Sequence, residues 1–322
     1  MAVRAAAARR YRRPVRAPAR DVRADLALAG AAFLFGTTFL VVQDAVEADG
    51  AVPFLVVRFG LGALALLPLA VRRGRPAPGL TGASARLGGL LVLGYVLQTV
   101  GLEHTTSSVS AFITYLLVVF VPILSSLVLR APPGGVAIAS VALAVVGLLL
   151  LTSGARGEGL GGGLGRGELL TLGCAVAFAA HIVALTDAAP RFDVVQLNLG
   201  QFVVVAGTLL VPGLVAGGYD LSARTLAAAA YTGVVVTAVA FGLQVWGQRR
   251  VSATRTALVL LLEPVFAAVL GFAAGERLGA LGALGAGVIV VAILVSEVGG
   301  PWRHRRTAGD AGVAMTGTSS GT

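Results

Sequence analysis

Two ionisable side chains stand inside apolar runs of this sequence: Arg58, within Leu55-Val56-Val57-Arg58-Phe59, and Glu263, within Leu260-Leu261-Leu262-Glu263-Pro264-Val265. In hydrocarbon a charge costs about 2.5–3.5 kcal/mol on insertion scales, so a residue held there either pairs with a neighbour or lines a route for a solute or ion. Pro264 lacks an N–H and therefore frees the carbonyl of Leu260. An acid beside a free carbonyl suits a cation or an exchanging proton. Glu263 equally suits a structural role as a local cap or ion-pair partner. Pro122 takes the corresponding place in the first half of the chain, with Val121 where Glu263 stands. Any ionic role is then confined to one half, and both prolines also read as plain helix breaks.

Polar residues recur at helical spacing in several other apolar runs. They are Tyr95 and Gln98, Ser110 and Thr114, Cys174 and His181, Asn198 and Gln201, and Thr237, Gln244 and Gln248. Each one alone is explained by a hydrogen bond to a neighbouring helix, for about 0.6 kcal/mol on average. Together they describe polar faces turned toward one wet space. The expected cavity is lined by Tyr95, Gln98, Thr114, His181, Gln201, Gln244 and Glu263, with Arg58 and Glu263 as its ionic groups and Pro122 and Pro264 as helix breaks. One interior histidine and a single cysteine, Cys174, supply neither a metal cluster nor a disulfide. No cofactor is expected.

The elements that must hold these residues are transmembrane helices. Of the 322 residues, 57% are hydrophobic and only 12% charged, and the mean hydropathy is +0.89. A soluble fold carries about 25% charge and could not cover its surface with this composition. Runs of about 20 apolar residues, enough to cross a core of about 30 Å, recur throughout. They fall near 26–43, 52–71, 87–103, 109–129, 134–152, 168–186, 194–216, 225–247, 256–274 and 278–297. The expected class is an all-α integral membrane protein of ten helices. Lipid offers backbone groups no partner, and these runs lack the alternation of barrel strands.

The net charge of +10 comes from arginine alone, since no lysine is present. The arginines lie between the apolar runs rather than in a basic stripe interleaved with aromatics, which excludes a nucleic-acid binder. With the N-terminus inside, twenty arginines fall on the cytoplasmic side and only Arg156, Arg166, Arg224 and Arg277 on the other. Short cytoplasmic loops retain positive charge, so both termini are expected in the cytoplasm. The Ala-, Gly-, Val- and Arg-rich composition suits a high-GC bacterium, and the expected location is its plasma membrane.

The chain also repeats itself. Val109-Ser110-Ala111 recurs as Val251-Ser252-Ala253 and Pro122 as Pro264, both at an offset of 142. Gly30, Phe35, Asp44 and Ala45 match Gly173, Phe178, Asp187 and Ala188 at 143. The organisation that follows is an Arg-rich tail over 1–25, a five-helix repeat over 26–152, a Gly-rich linker over 153–167, a second five-helix repeat over 168–297 and a flexible tail over 298–322. An odd number of crossings per repeat inverts the second copy in the membrane, the arrangement that lets two halves rock about a midplane site.

The stretch from Thr237 through Gln248, then Val251-Ser252-Ala253-Thr254, Leu262-Glu263-Pro264-Val265-Phe266 and Gly275-Glu276 resembles the second repeat of EamA-type carriers of the drug/metabolite transporter superfamily. Phe35-Gly36 and Arg58-Phe59 resemble marks of that family's first repeat. The resemblance covers roughly residues 26–297 and implies two inverted five-helix repeats, cytoplasmic termini and movement of metabolites or drugs, often outward. Leu129-Arg130-Ala131-Pro132-Pro133 stands where the family often has Gly-Glu, and Phe35 where it often has Trp. Expected partners are a small-molecule solute and the bilayer, with Glu263 open to proton coupling and the oligomeric state left unspecified. A membrane scaffold or sensor would call for a large extramembrane module. A membrane-embedded enzyme would have only His181 and Glu263 to work with.

Overall fold

The computed structural model describes residues 21–38, 41–42, 49–105, 107–154, 165–215, 218–273 and 279–299. Most of the Arg-rich tail, the Gly-rich linker, Gly275-Glu276 and the tail from residue 300 onward lie outside these ranges. Among the described residues the regular structure is helical, with no strand. In chain order the helices are α1 (Val22–Gly36), α2 (Ala51–Arg72), α3 (Leu80–Leu102), α4 (Ser107–Tyr115), α5 (Leu117–Val128), α6 (Gly135–Gly154) and α7 (Arg166–Ala188). They continue with α8 (Val194–Val215), α9 (Ala223–Tyr231), a π-helical stretch (Thr232–Ala240), α10 (Phe241–Gln248), α11 (Ala253–Leu260), α12 (Leu262–Ala273) and α13 (Ala280–Gly299).

Among the described residues seven stretches are long and apolar enough to cross a membrane when α4–α5, α9–α10 and α11–α12 are each taken as one path. Shorter apolar helices cover Gly135–Leu151 and Ala280–Ser296. Leu127, Val211, Val215 and Phe272 are each more than 60% exposed, as expected of side chains that face lipid. Three of the runs read as single helices are interrupted. The fourth breaks at Leu116 and the ninth at Leu261, both upstream of a proline, and the eighth widens into the π-helical stretch. Pro122 and Pro264 each withdraw one N–H from the ladder, which loosens the turn before them. The first run turns after Gly36, where the hydroxyls of Thr37 and Thr38 donate back to the carbonyls of Leu34 and Phe35 at 2.7 Å, and Thr38 and residues 41–42 are helical again.

Helix ends gather on two faces. One face joins Asp21 to Arg250, Asp25 to Arg255, Arg73 to Asp193 and Arg86 to Asp187. Each of these ion pairs links a residue before the Gly-rich linker to one after it. On the opposite face Asp49 accepts hydrogen bonds from Ser222 and Thr225, and Thr105 donates to Glu168 at 2.5 Å. The hydroxyl of Thr225, then that of Ser222, holds the Asp49 carboxyl below its ordinary value of 3.8. That contribution is present at neutral pH and is lost as pH falls through the lowered value.

Helix pairing is as ordered as the ends. The helix α2 packs on α8, α6 on α13 and α5 on α11. The helix α3 packs on α7 and α8, while the span containing α10 and the π-helical stretch packs on α1 and α2. The two halves of the fourth span rest on α7, and those of the ninth rest on α1.

The α6–α13 pair is close because glycines face each other. A Cβ on Gly147 would lie 2.9 Å from the carbonyl oxygen of Gly285, and one on Gly285 would collide with the backbone of Leu151. The small residues around α13 divide accordingly. Gly282, Gly285 and Ile289 are buried, whereas Gly279, Ala283 and Gly287 are exposed. In lipid such close packing is a main source of helix association. Gly285→Ala should therefore lower stability by about 1–3 kcal/mol, read as a drop in the unfolding temperature of the detergent-solubilised protein. Gly287→Ala, which meets nothing within 4 Å, should leave it unchanged.

Candidate functional site

Arg58 lies seven residues into α2 and is only 6% exposed. Its Nε–H donates to Thr237 Oγ1 at 3.0 Å, and its guanidinium carbon sits 5.7 Å from the Phe59 ring centroid. Thr237 belongs to the π-helical stretch, whose wider turn alters which side chains face α2. Glycine permits the approach on both sides. A Cβ on Gly233 would lie 2.6 Å from the Arg58 carbonyl oxygen, and one on Gly62 would lie 2.9 Å from Thr237 Cγ2.

Glu263 opens α12, directly after the break at Leu261. Its carboxyl lies within the electrostatic reach of the Tyr115 hydroxyl, at the end of α4, and of Arg58. Tyr95 on α3 lies within the electrostatic reach of both Arg58 and Glu263. Glu263, Tyr95 and Gln98 keep part of their surface accessible, so they border space rather than filling the core. Gln98 Nε2 approaches Thr114 Oγ1 at 3.5 Å. The helix α1 closes one side of this group. A Cβ on Gly36 would lie 3.0 Å from the Glu263 carbonyl oxygen, and Phe33 meets Phe266 edge to face at 5.4 Å.

Aromatic rings underlie the charged group. Phe59 contacts Tyr95 at 5.5 Å and Phe202 at 5.6 Å, and Phe241 contacts Phe35 at 5.3 Å and Phe202 at 5.4 Å. Phe178 stacks edge-on to Tyr95 at 5.3 Å and presses against Gly94. His181 touches this layer through Phe241 at 6.4 Å and belongs to a separate polar chain. His181 Nε2 and Gln201 Oε1 are 2.9 Å apart, with the tautomer that donates from Nε2 assigned from this contact. Gln201 Nε2 donates to Asn198 Oδ1 at 2.6 Å. Beside it, Gln244 donates to Gln248, and Gln248 donates to the Ile182 carbonyl and to Thr186 Oγ1 at 3.0 Å. His181, Gln201 and Gln244 are at most 4% exposed.

The residues named from sequence thus separate into two groups. Arg58, Tyr95 and Glu263 lie within electrostatic reach of one another, with Gln98 beside Thr114, while His181 joins α7 to α8 through Gln201, and Gln244 bonds within α10 to Gln248, which reaches α7. Pro122 lies buried in α5, and Pro264 follows Glu263 in α12. Sequence reasoning missed Tyr115 as a neighbour of Glu263 and did not pair Thr237 with Arg58. The available signal for Tyr115 was a phenol in a lipid-spanning run, where a buried hydroxyl must find a partner.

The sequence pattern of a family described as EamA-like transporters matches the chain twice, over residues 22–153 and 165–297. The chain belongs to the EamA-like transporter family. This transporter is 30% identical over 278 residues to a protein of Archaeoglobus fulgidus named an uncharacterized transporter, covering 84% of this chain and 85% of that one. It is 27% identical over 280 residues to a chloroplastic WAT1-related protein of Arabidopsis thaliana, covering 81% of this chain and 66% of the relative. A solved crystal structure shares the fold, with a TM-score of 0.74 at 18% identity over 84% of this chain and 97% of that chain.

Thr237 in this transporter is the partner on which a buried guanidinium depends. Thr237→Val removes the acceptor for Arg58 Nε, and an orphaned buried group of this kind costs about 1–3 kcal/mol. The unfolding temperature in detergent should fall for Thr237→Val and recover in Thr237→Ser, which restores the hydroxyl.

Proposed function

We propose that this membrane transporter is a secondary carrier that moves a small metabolite or drug-like solute across a bacterial plasma membrane by alternating access between two inverted five-helix repeats. The spans run in order through α1, α2, α3, α4–α5, α6, α7, α8, α9–α10, α11–α12 and α13, with the repeats over 26–152 and 168–297. The solute occupies the space bordered by Tyr95, Gln98, Thr114 and Glu263. Glu263 carries the coupling proton while Arg58 sets the local field. The direction is outward, on the resemblance of the Thr237–Gly275 region to EamA-type carriers.

The observation that supports this reading is that Arg58, buried on one half of the chain, and Glu263, on the other, carry opposite charges within electrostatic reach of each other. The helix pairing supports the repeat. Exchanging each span for the one five places along turns the α3–α7 contact into the contact of α10 with α1, and α3–α8 into that of the π-helical stretch with α2. The pairs α2–α8, α6–α13 and α5–α11 map onto themselves. The face carrying the four ion pairs is the arginine-rich one, which supports its placement in the cytoplasm. On that face the two repeats are tied shut, so opening inward requires these pairs to break.

Two experiments test the proposal. In proteoliposomes under an imposed pH gradient, Glu263→Gln should abolish the dependence of solute flux on that gradient while leaving the protein folded. Gradient dependence that persists in the variant removes Glu263 from coupling. Separately, Asp25→Asn should raise the accessibility of a cysteine introduced by Gln98→Cys, in a Cys174→Ala background, to an impermeant reagent from the cytoplasmic side about two- to fivefold, as expected for loss of a half-buried pair worth about 1 kcal/mol or less. A compensating charge swap of Asp25 and Arg255 should restore the original accessibility.

A further inference from the structure

A second candidate site lies away from the Arg58–Glu263 group, on the face that carries the ion pairs. The helix α10 packs against both α1 and α8, and between them opens a cavity of about 670 Å³. Arg23, Arg73, Arg249 and Asp193 line it together with Ala27, Leu243 and Trp246. The charged residues all stand at helix ends. Arg23 begins α1, Arg73 caps α2, Asp193 precedes α8 and Arg249 caps α10. They therefore share one level along the membrane normal, that of the lipid headgroups. Trp246 lies about one turn deeper and Leu243 about 9 Å deeper than Arg249, at 1.5 Å per residue. Trp is the residue favoured at the boundary between headgroups and acyl chains.

The charge balance of the cavity favours an anion. Asp193 is the single acid against three guanidiniums. Its carboxylate is engaged by the backbone N–H groups of Val195 at 2.9 Å and Gln196 at 3.2 Å. Its approach to Arg73 is long, at 3.9 Å, and Arg73 is 58% exposed. Arginine is suited to phosphate because its planar fork offers paired N–H donors. A free anion would use the rim and leave the apolar wall idle. A molecule with an anionic head and an apolar body uses both.

We propose that this cavity binds an anionic phospholipid, with the phosphodiester on Arg23, Arg73 and Arg249 and the glycerol and first methylenes along Ala27, Leu243 and Trp246. Basic pockets between spanning helices are a recurrent form of headgroup recognition. Arg23 and Arg73 precede the Gly-rich linker and Arg249 follows it, so the bound phosphate joins the two halves of the transporter beside the ion pairs. The site stands independently of the transported solute. Only its assignment to the cytoplasmic leaflet rests on the orientation proposed above.

The test uses the full chain with Trp302→Phe, which leaves Trp246 as the sole tryptophan, reconstituted into phosphatidylcholine vesicles. Brominated phosphatidylglycerol should quench Trp246 at a several-fold lower mole fraction than brominated phosphatidylcholine. Arg249→Gln should weaken this preference about fivefold, the contribution of one surface arginine to anionic lipid binding. The combined Arg23→Gln, Arg73→Gln and Arg249→Gln variant should abolish it. Asp193→Asn keeps a side chain able to cap α8 and should strengthen the preference about twofold or more. It tests the proposal even where the triple variant does not fold. Equal quenching by the two lipids, a preference that survives the triple substitution, or no gain in Asp193→Asn overturns the proposal. Displacement of the brominated lipid by millimolar inorganic phosphate overturns it too, by assigning the cavity to free anions.

Discussion

Hydrocarbon supplies no hydrogen-bond partner, and the structure is organised by that single deficiency. Backbone groups satisfy it by coiling into helices, and side chains satisfy it by pairing across helices. Arg58 has Thr237, His181 has Gln201, and Gln248 has the Ile182 carbonyl and Thr186. Where the backbone departs from the regular ladder, it does so next to polar side chains. The π-helical stretch carries Thr237, and the break at Leu261 precedes Glu263. Irregular backbone at membrane depth is tolerated where it is enclosed by protein or borders a cavity, and both irregularities sit beside the charged group.

The second organising feature is an asymmetry laid over a duplicated plan. The helix pairings survive an exchange of the two halves, but the chemistry does not. Glu263 has an apolar counterpart in Val121, so the charge at mid-depth is unequal between the halves. The two membrane faces differ as well. Ion pairs between arginine and aspartate tie one face, while hydroxyl–carboxylate hydrogen bonds tie the other. A conformational change that opens one face and closes the other would exchange one kind of bond for another, so the two states need not be equal in energy.

Polar residues along the spans serve two ends that composition alone does not distinguish. A buried glutamine whose donors and acceptors are consumed by other helices adds rigidity. A tyrosine or glutamate that keeps part of its surface accessible can meet a solute. The aromatic layer of Phe59, Phe202 and Phe241 stands between these two groups, and it is apolar enough to keep water from joining them. Beyond the bilayer core the same rule places charge at helix ends, where Arg23, Arg73 and Arg249 meet headgroups instead of solvent alone.

Hydropathy and arginine spacing were sufficient to read a helical membrane protein and most helix limits to within a few residues, and they singled out Arg58 and Glu263 as ionisable residues within apolar runs, because lipid penalises charge and exposed backbone wherever they occur. The doubled family pattern, over residues 22–153 and 165–297, left a trace for a similar reason, since glycines and prolines recur where the backbone is constrained. Partners were not legible. That Arg58 meets Thr237 across 179 residues, that Tyr115 lies near Glu263, and that His181 is bound to Gln201 follow from how helices rotate and approach one another. Those rotations are set by which glycines leave room for a facing backbone: Gly285 packs where the equally small Gly287 faces open space. A linear sequence records residue size and polarity at each position. Only the assembled bundle determines which side of each helix those residues occupy, and hence which of them remain free to act on a solute.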